Sequence, residues 1–349
     1  IGPWLLYFIQ IFYDRYQSIL TAADCGKVTN TLIGRYKRGQ WLPQGFAEVL
    51  SWSKDDAYNH YLYSRIIEHT NRLPYDTTDV ETDVKVSATH IDSNKNDSFL
   101  PKKLLKHLVA LYERFIPGCF NQIVLVSSYL SRSDLVKLQL SLKQFPYLFP
   151  PEVVLPESNI NWDLREKLSF NSAGNKFEQL LIMMLKEQIP SIYVEGYASM
   201  NQTSLDAYPQ NPKVILTGDA YNSNDAFKFW AAHHANRGVK LAGIQYGGIY
   251  GTGLWSSTEN HEIQIYDRFY TWGWESEAEN TKPLAAAKFN AIKRNAHPKK
   301  DGRLLLVLST MPRYSYHMYS TYVASSGGLA YFNDLYLFIK TLSKKNQRM

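Results

Sequence analysis

The sequence predicts an α/β fold organised around a doubly wound parallel sheet, and three observations predict it. Residues 213–245 read as one strand–helix–strand unit: Val214-Ile215-Leu216-Thr217, a loop over 218–222, a helix opening at Ser223 and stopping at Gly238, then a strand over 239–245. Two parallel strands joined by a helix need a right-handed crossover and helices on the sheet faces. Ile123-Val124-Leu125-Val126 is a short continuous apolar run, the pattern of a strand buried on both faces of a parallel sheet. The residues after these strands are polar and glycine-rich, as suits the carboxyl ends where open sheets bind ligands.

The remaining elements follow in chain order. Leu5, Phe8, Ile9, Phe12, Tyr16 and Ile19 recur at helical spacing and predict a helix over 4–20 with one buried face. Its opening, Ile1-Gly2-Pro3-Trp4, carries no basic segment or cleavage site, so a missing N-terminus is expected and not a signal peptide. The apolar run over 4–13, broken by Gln10, is far short of the roughly 20 residues that cross a bilayer. Residues 55–69 and 100–115 also read as helices, the second striped by Leu104, Leu108 and Leu111 and ended by Pro117-Gly118. Between them, 71–98 is rich in Asp, Thr and Asn and reads as a surface loop or insertion.

Beyond the 123–126 strand, Ser131 and Asp134 form a capping pair for a helix through Leu135, Leu138 and Leu142. Residues 145–157 hold four prolines and read as an irregular connection, and 176–188 as an apolar helix ended by Pro190. Ile192-Tyr193-Val194 and Phe269-Tyr270-Thr271-Trp272 read as short strands, and 273–298 as a polar connection. A strand over 303–309 and a helix over 331–342 start a second α/β domain that one strand and one helix cannot complete. The expected organisation is a Rossmann-like domain with helical additions over 1–275, a linker over 276–301 and a truncated second domain over 302–349.

Composition bounds the function. With 45% hydrophobic, 14% aromatic and 20% charged residues in 349, the chain has ample apolar area for a packed core. The formal charge of +6 is modest and its basic residues are spread out, which argues against a nucleic-acid partner. Two cysteines, Cys25 and Cys119, make no disulfide framework, so a reducing, cytoplasmic setting is expected. His233-His234 lacks zinc-ligand spacing, and no Cys-x-x-Cys, Gly-x-Ser-x-Gly, Gly-x-Gly-x-x-Gly or P-loop pattern occurs; no metal or cofactor is expected.

Three segments after strands carry the candidate chemistry: Gly218-Asp219, the loop from Gly247 and Gly248 to Gly251 and Gly253, and Arg313-Tyr314-Ser315. Glycines let backbone N–H groups approach and cradle a diphosphate, and a guanidinium at Arg313 can neutralise a leaving diphosphate. His261 and Glu262 are candidate bases for an acceptor hydroxyl, with Asp219 the next candidate. Gln245 and Tyr246 shape the site, and Asp267-Arg268 reads as a structural ion pair.

The stretches Gly2-Pro3-Trp4 with Tyr13-Asp14-Arg15-Tyr16, Gly243-Ile244-Gln245-Tyr246-Gly247-Gly248 with Tyr250-Gly251, His261-Glu262, Asp267-Arg268 with Thr271-Trp272-Gly273-Trp274, and Pro312-Arg313-Tyr314-Ser315 resemble motifs of transferases encoded in bacterial O-antigen, lipopolysaccharide and related surface-carbohydrate loci. The resemblance runs over nearly the whole chain and implies a GT-B-like architecture: two Rossmann-like domains facing across a cleft, with most of the C-terminal nucleotide-binding domain missing here and the fragment inactive alone. It implies transfer of a sugar or polyol-phosphate from a nucleotide-activated donor to a glycan or lipid-linked acceptor, without a metal, in the cytoplasm or in peripheral contact with the inner membrane. Related transferases often carry Gln-His-Gly where this chain has Gln245-Tyr246-Gly247; a tyrosine is a poor base at neutral pH, which moves the expected base to His261 or Glu262. Rival readings are a nucleotide-sugar epimerase on the same fold and a non-catalytic carbohydrate-assembly protein.

Overall fold

The computed structural model describes residues 1–80, 122–171, 174–290, 305–308, 313–316 and 327–342. The predicted helix over 100–115 and Cys119 lie outside them. Helix α1 (Gly2–Asp24) begins with Pro3, whose missing N–H would have no intrahelical partner there anyway. It buries Trp4, Phe8, Ile11 and Phe12 on one stripe. Strand β1 (Thr31–Arg35), α2 (Phe46–Trp52), α3 (Asp56–Thr70) and strand β2 (Tyr75–Asp79) complete the first part of the chain. Asp55 caps α3 by accepting from the N–H groups of Ala57 and Tyr58. The segment expected to be a loop therefore contains a strand: Tyr75–Asp79 pairs in parallel with Thr31–Arg35. Its Tyr-Asp-Thr-Thr-Asp sequence hides it, because the pair lies at the surface with mostly exposed side chains.

The sheet layer begins at β3 (Ile123–Val126), followed by α4 (Arg132–Ser141), α5 (Trp162–Glu166), α6 (Lys176–Gln188), a 3₁₀ turn at Ser191–Tyr193 and α7 (Tyr197–Ala207). That turn replaces the strand expected at 192–194; Pro190 and the Ser191 carbonyl, which accepts from both Val194 and Gly196 N–H, coil it. Helix α4 is capped by Ser131 as expected, yet its leucines stay largely exposed, and the buried residue is Gln139, which pairs with both backbone groups of Tyr147. Next come β4 (Val214–Thr217), α8 (Ala220–Ser223), α9 (Asp225–Ala235), β5 (Lys240–Ile244), α10 (Ser257–Ile265), β6 (Arg268–Thr271), β7 (Thr281–Pro283) and α11 (Gly327–Thr341). Asn224, one residue after the expected Ser223, caps α9.

The five strands β3 to β7 are all parallel and stand in sequence order. A doubly wound sheet reverses direction at a switch point; among the described residues this sheet runs one way without reversal, so the doubly wound expectation is corrected. With right-handed crossovers a sheet that advances in one direction carries its connections on one face. Strand β7 also extends the sheet past residue 275, into the stretch read as a linker. Residues 305–308, expected inside a strand, form none, and their apolar side chains are exposed.

Two apolar cores result. One joins α1, α2, α3, β1 and α6 around Trp4, Phe8, Phe46, Tyr58 and Leu180. The other fills the sheet layer around Val124, Ile215, Phe227, Trp230 and Phe269. The carboxylate of Asp225 spans them: it accepts from Phe46 N–H at 2.8 Å and from the Tyr193 hydroxyl, and pairs with Lys228 at 2.6 Å.

Candidate active site

All the strands point their carboxyl ends the same way, so the residues following β3, β4, β5 and β6 gather along one rim. Ser127 and Tyr129, just past β3, hold left-handed φ values of 51° and 58°, a costly conformation for side chains of their size. Gly218, just past β4, makes room for that bend, since a Cβ there would lie 2.8 Å from both the Ser127 carbonyl oxygen and the Tyr129 ring. The bend delivers the Tyr129 hydroxyl to Asp219, which accepts at 2.6 Å, and stacks the Tyr129 ring on Tyr246. Burial and the Asp219 carboxylate push the Tyr129 hydroxyl well above its ordinary pKa.

Gln245 ties the next two strand ends together. Its Oε1 accepts from Trp272 N–H and Trp274 Nε1, each at 2.8 Å, and its Nε2 donates to the Gly247 carbonyl at 2.7 Å. The site-shaping role expected for Gln245 is thus a three-way brace of the glycine loop. Within that loop the four glycines differ. Gly251 has φ +68° with Trp274 packed against it, and its N–H donates to Glu259 at 3.0 Å; Gly253 N–H donates to the Ile249 carbonyl. The N–H groups of Gly247, Gly248 and Ile249 have no acceptor among the described residues, and a Cβ on Gly248 would meet nothing within 4 Å. Lys288, after β7, donates to the Tyr246 carbonyl at 3.3 Å and lies over the Trp272 ring, bringing positive charge beside the loop. No sequence motif marks Lys288; its place depends on β7, which the sequence reading did not find.

Helix α10 carries His261 and Glu262, which as neighbours on a helix face different ways. Glu262 is fully buried, and its Oε1 accepts from the hydroxyls of Tyr221 and, at 2.9 Å, Tyr250. Its Oε2 and the nearby Tyr266 hydroxyl are buried without hydrogen-bond partners among the described residues. Burial pushes the Glu262 carboxyl from 4.5 up to about 8, against the pull of its two tyrosine hydrogen bonds, so it is mostly protonated at neutral pH. Burial likewise pushes Tyr246 up to about 12, so the residue at the Gln-Tyr-Gly position stays neutral.

His261 is half-buried, and its ring lies 5.7 Å from that of Tyr221. Burial above all lowers its pKa, so it stands as a neutral imidazole, with no hydrogen-bond partner among the described residues. It lines a pocket of about 280 Å³ between the first turns of α1, α8 and α10, together with Tyr7, Tyr221, Asn222 and Trp255. Tyr221 therefore touches both His261 and Glu262, and Tyr250 carries the contact on to the glycine loop. Tyr129, Tyr221 and Trp255 carry no sequence motif; Tyr129 and Tyr221 are marked only by their position soon after strands, and Trp255 by its place beyond the glycine loop.

The other expected site residues lie elsewhere. Asp267 and Arg268 sit at the amino end of β6, opposite the glycine loop, and are not paired with each other. Asp267 pairs with Lys240 at 2.6 Å and accepts from Leu241 N–H, while Arg268 donates to the Glu279 carbonyl. The expected ion pair between them is therefore not formed, and both lie at the end of the strand away from the glycine loop. Arg313 and Tyr314 both bind Asp56 at the start of α3, at 2.9 and 2.8 Å. The Ser315 carbonyl accepts from Arg15, whose guanidinium lies over the Tyr314 ring. The Arg313 segment thus docks on the helical core. Among the described residues no group of three or more His, Cys, Asp or Glu is placed to hold a metal ion, and no helix is long and apolar enough to cross a membrane.

Residues 1–349 match the model of a family described as LIC12162 family transferase. No curated protein and no solved structure matches the chain.

Proposed function

Because the chain belongs to the LIC12162 family of transferases, we propose that it moves a sugar or polyol-phosphate from a nucleotide-activated donor to a glycan or lipid-linked acceptor of a bacterial surface carbohydrate. One observation carries this reading. At the carboxyl ends of parallel strands, a loop whose N–H groups at Gly247, Gly248 and Ile249 have no acceptor among the described residues is linked through Tyr250, Glu262 and Tyr221 to a neutral imidazole at His261 that has no hydrogen-bond partner among them either. N–H groups left open along a glycine loop suit a diphosphate, and Lys288 beside the loop offsets its charge.

In the proposed step the acceptor hydroxyl gives its proton to His261 as its oxygen forms a bond to the donor carbon or phosphorus. In sugar transfer the bond from that carbon to the diphosphate oxygen breaks and its electron pair leaves with the nucleoside diphosphate; in polyol-phosphate transfer the bridging P–O bond inside the diphosphate breaks and its electron pair leaves with the nucleoside monophosphate. Glu262, protonated and walled in, anchors Tyr221 and Tyr250 in place of acting as the base. The GT-B-like pairing with a second domain, and the cytoplasmic setting at the inner membrane, belong to the same proposal.

The test is incubation of the full-length protein with a panel of nucleotide sugars, with and without acceptor glycans. Free nucleotide released only with acceptor supports transfer. An epimerised donor without acceptor, or donor binding without turnover, overturns it. Gly248→Val adds side chain into open space, so the fold is expected to survive while donor affinity falls by more than about tenfold, ~1.4 kcal/mol.

A further inference from the structure

No Lys, Arg, Asp or Glu lines the pocket beside His261. Its polar lining comes from three amides, Asn222, Asn260 and Gln264, the hydroxyls of Ser257, Thr258, Tyr7 and Tyr221, and the His261 imidazole. Sites for phosphates and carboxylates recruit Arg or Lys, because an unneutralised anion is costly to desolvate. Amides and hydroxyls both donate and accept, which is the complement of a ring of hydroxyl groups. The Ser257 Oγ is buried with no hydrogen-bond partner among the described residues, a polar group that a ligand would satisfy. Trp255, 53% exposed, adds a flat apolar surface of the kind that packs against the C–H face of a sugar. At about 280 Å³ the pocket lies just below the range of ligand sites, which run from about 300 to 1,000 Å³, so it has room for one ring and not a chain.

We propose that this pocket holds the neutral sugar ring at the end of the acceptor, an uncharged hexose whose hydroxyl faces His261, and excludes phosphorylated and uronic-acid rings. The inference rests on the transfer reading for its role. The division of labour is electrostatic: Lys288 and the loop N–H groups lie on the donor side, and no Lys, Arg, Asp or Glu lines the acceptor pocket.

Binding can be read without any donor, by saturation-transfer NMR on the full-length protein. The probes are methyl glycosides of neutral hexoses, set against methyl glucuronide and glucose 6-phosphate. The neutral glycosides are expected to bind, and Trp255→Ala and Asn260→Ala to weaken that binding at least tenfold. Both side chains are exposed, so unchanged melting temperatures will show that the variants fold. Preferential binding of the charged probes, no binding of neutral glycosides, or equal binding by wild type and both variants overturns the proposal. Binding of neutral glycosides by a protein that turns over no donor keeps this pocket and removes the transfer reading. Acceptor-dependent donor turnover with no glycoside binding does the reverse.

Discussion

Arg165 and Glu262 are both fully buried, and the chain treats them oppositely. Arg165, beneath the helical core, donates to both carboxylate oxygens of Glu195 at 2.6 and 2.8 Å and to the carbonyls of Lys186 and Ile189 at 3.0 and 2.9 Å. Burial pushes Glu195 up, yet the Arg165 hydrogen bonds outweigh it and hold the carboxylate below its ordinary pKa. Glu262 has no cation beside it, keeps one oxygen without a partner among the described residues, and is pushed up to about 8. A buried charge matched on nearly every atom serves architecture, whereas a carboxyl kept neutral by its surroundings, next to an unpartnered histidine, marks a site.

The comparison is tested hardest at Arg165. Arg165→Met strands the Glu195 carboxylate in the interior, and about 3 to 5 kcal/mol of stability is expected to go, read as a lower urea midpoint. A loss typical of a surface change would erase the distinction. His261→Ala comes next: turnover is expected to fall about 100-fold to 10,000-fold while donor titration is unchanged. Normal turnover in that variant moves the base elsewhere, with Asp219 the next residue to change.

Glu262→Gln keeps the oxygen that Tyr221 and Tyr250 need and removes the titration. The folded chain holds a proton on Glu262 up to about pH 8, whereas the unfolded chain releases it near 4.5. This group's contribution to stability is therefore full below about 4.5 and is lost as pH rises to about 8. The drop in melting temperature between pH 5 and 8.5 is expected to be smaller in Glu262→Gln than in wild type; an unchanged drop would mean that the carboxyl is already ionised. The smallest effect belongs to Asp56→Ala. Its pair with Arg313 is exposed on both sides and contributes at most about 1 kcal/mol. Faster hydrogen exchange at residues 313–316, with little change in melting temperature, is the expected signature.

Where burial wrote the sequence, the fold was legible. Val124 and Ile215 in the parallel strands, the α1 stripe and the caps at Asp55 and Ser131 all follow from residue pattern, because apolar spacing and capping chemistry are local. Strands β2 and β7 escaped for the opposite reason: Tyr75–Asp79 and Thr281–Pro283 are short, polar and mostly exposed, so only pairing with a neighbour defines them. The absence of a reversal in strand order is likewise a long-range fact. At the candidate site, polar and glycine residues after strands pointed to the rim where the glycine loop, Asp219 and Tyr129 gather. They could not show that Arg313 leaves for the helical core, that Asp267 sits at the other end of its strand, or that Tyr221, Tyr250 and Tyr266 surround Glu262.

The carboxylate of Asp225 is shared property of both cores, through Phe46 N–H on one side and Lys228 on the other. Opening either core alone would leave that carboxylate in the interior without half its partners, and a buried carboxylate tolerates this poorly. The helical and sheet layers are thereby bound into one cooperative unit. A single calorimetric transition, with equal calorimetric and van't Hoff enthalpies, is the behaviour such a shared pin imposes on two cores that would otherwise melt in turn.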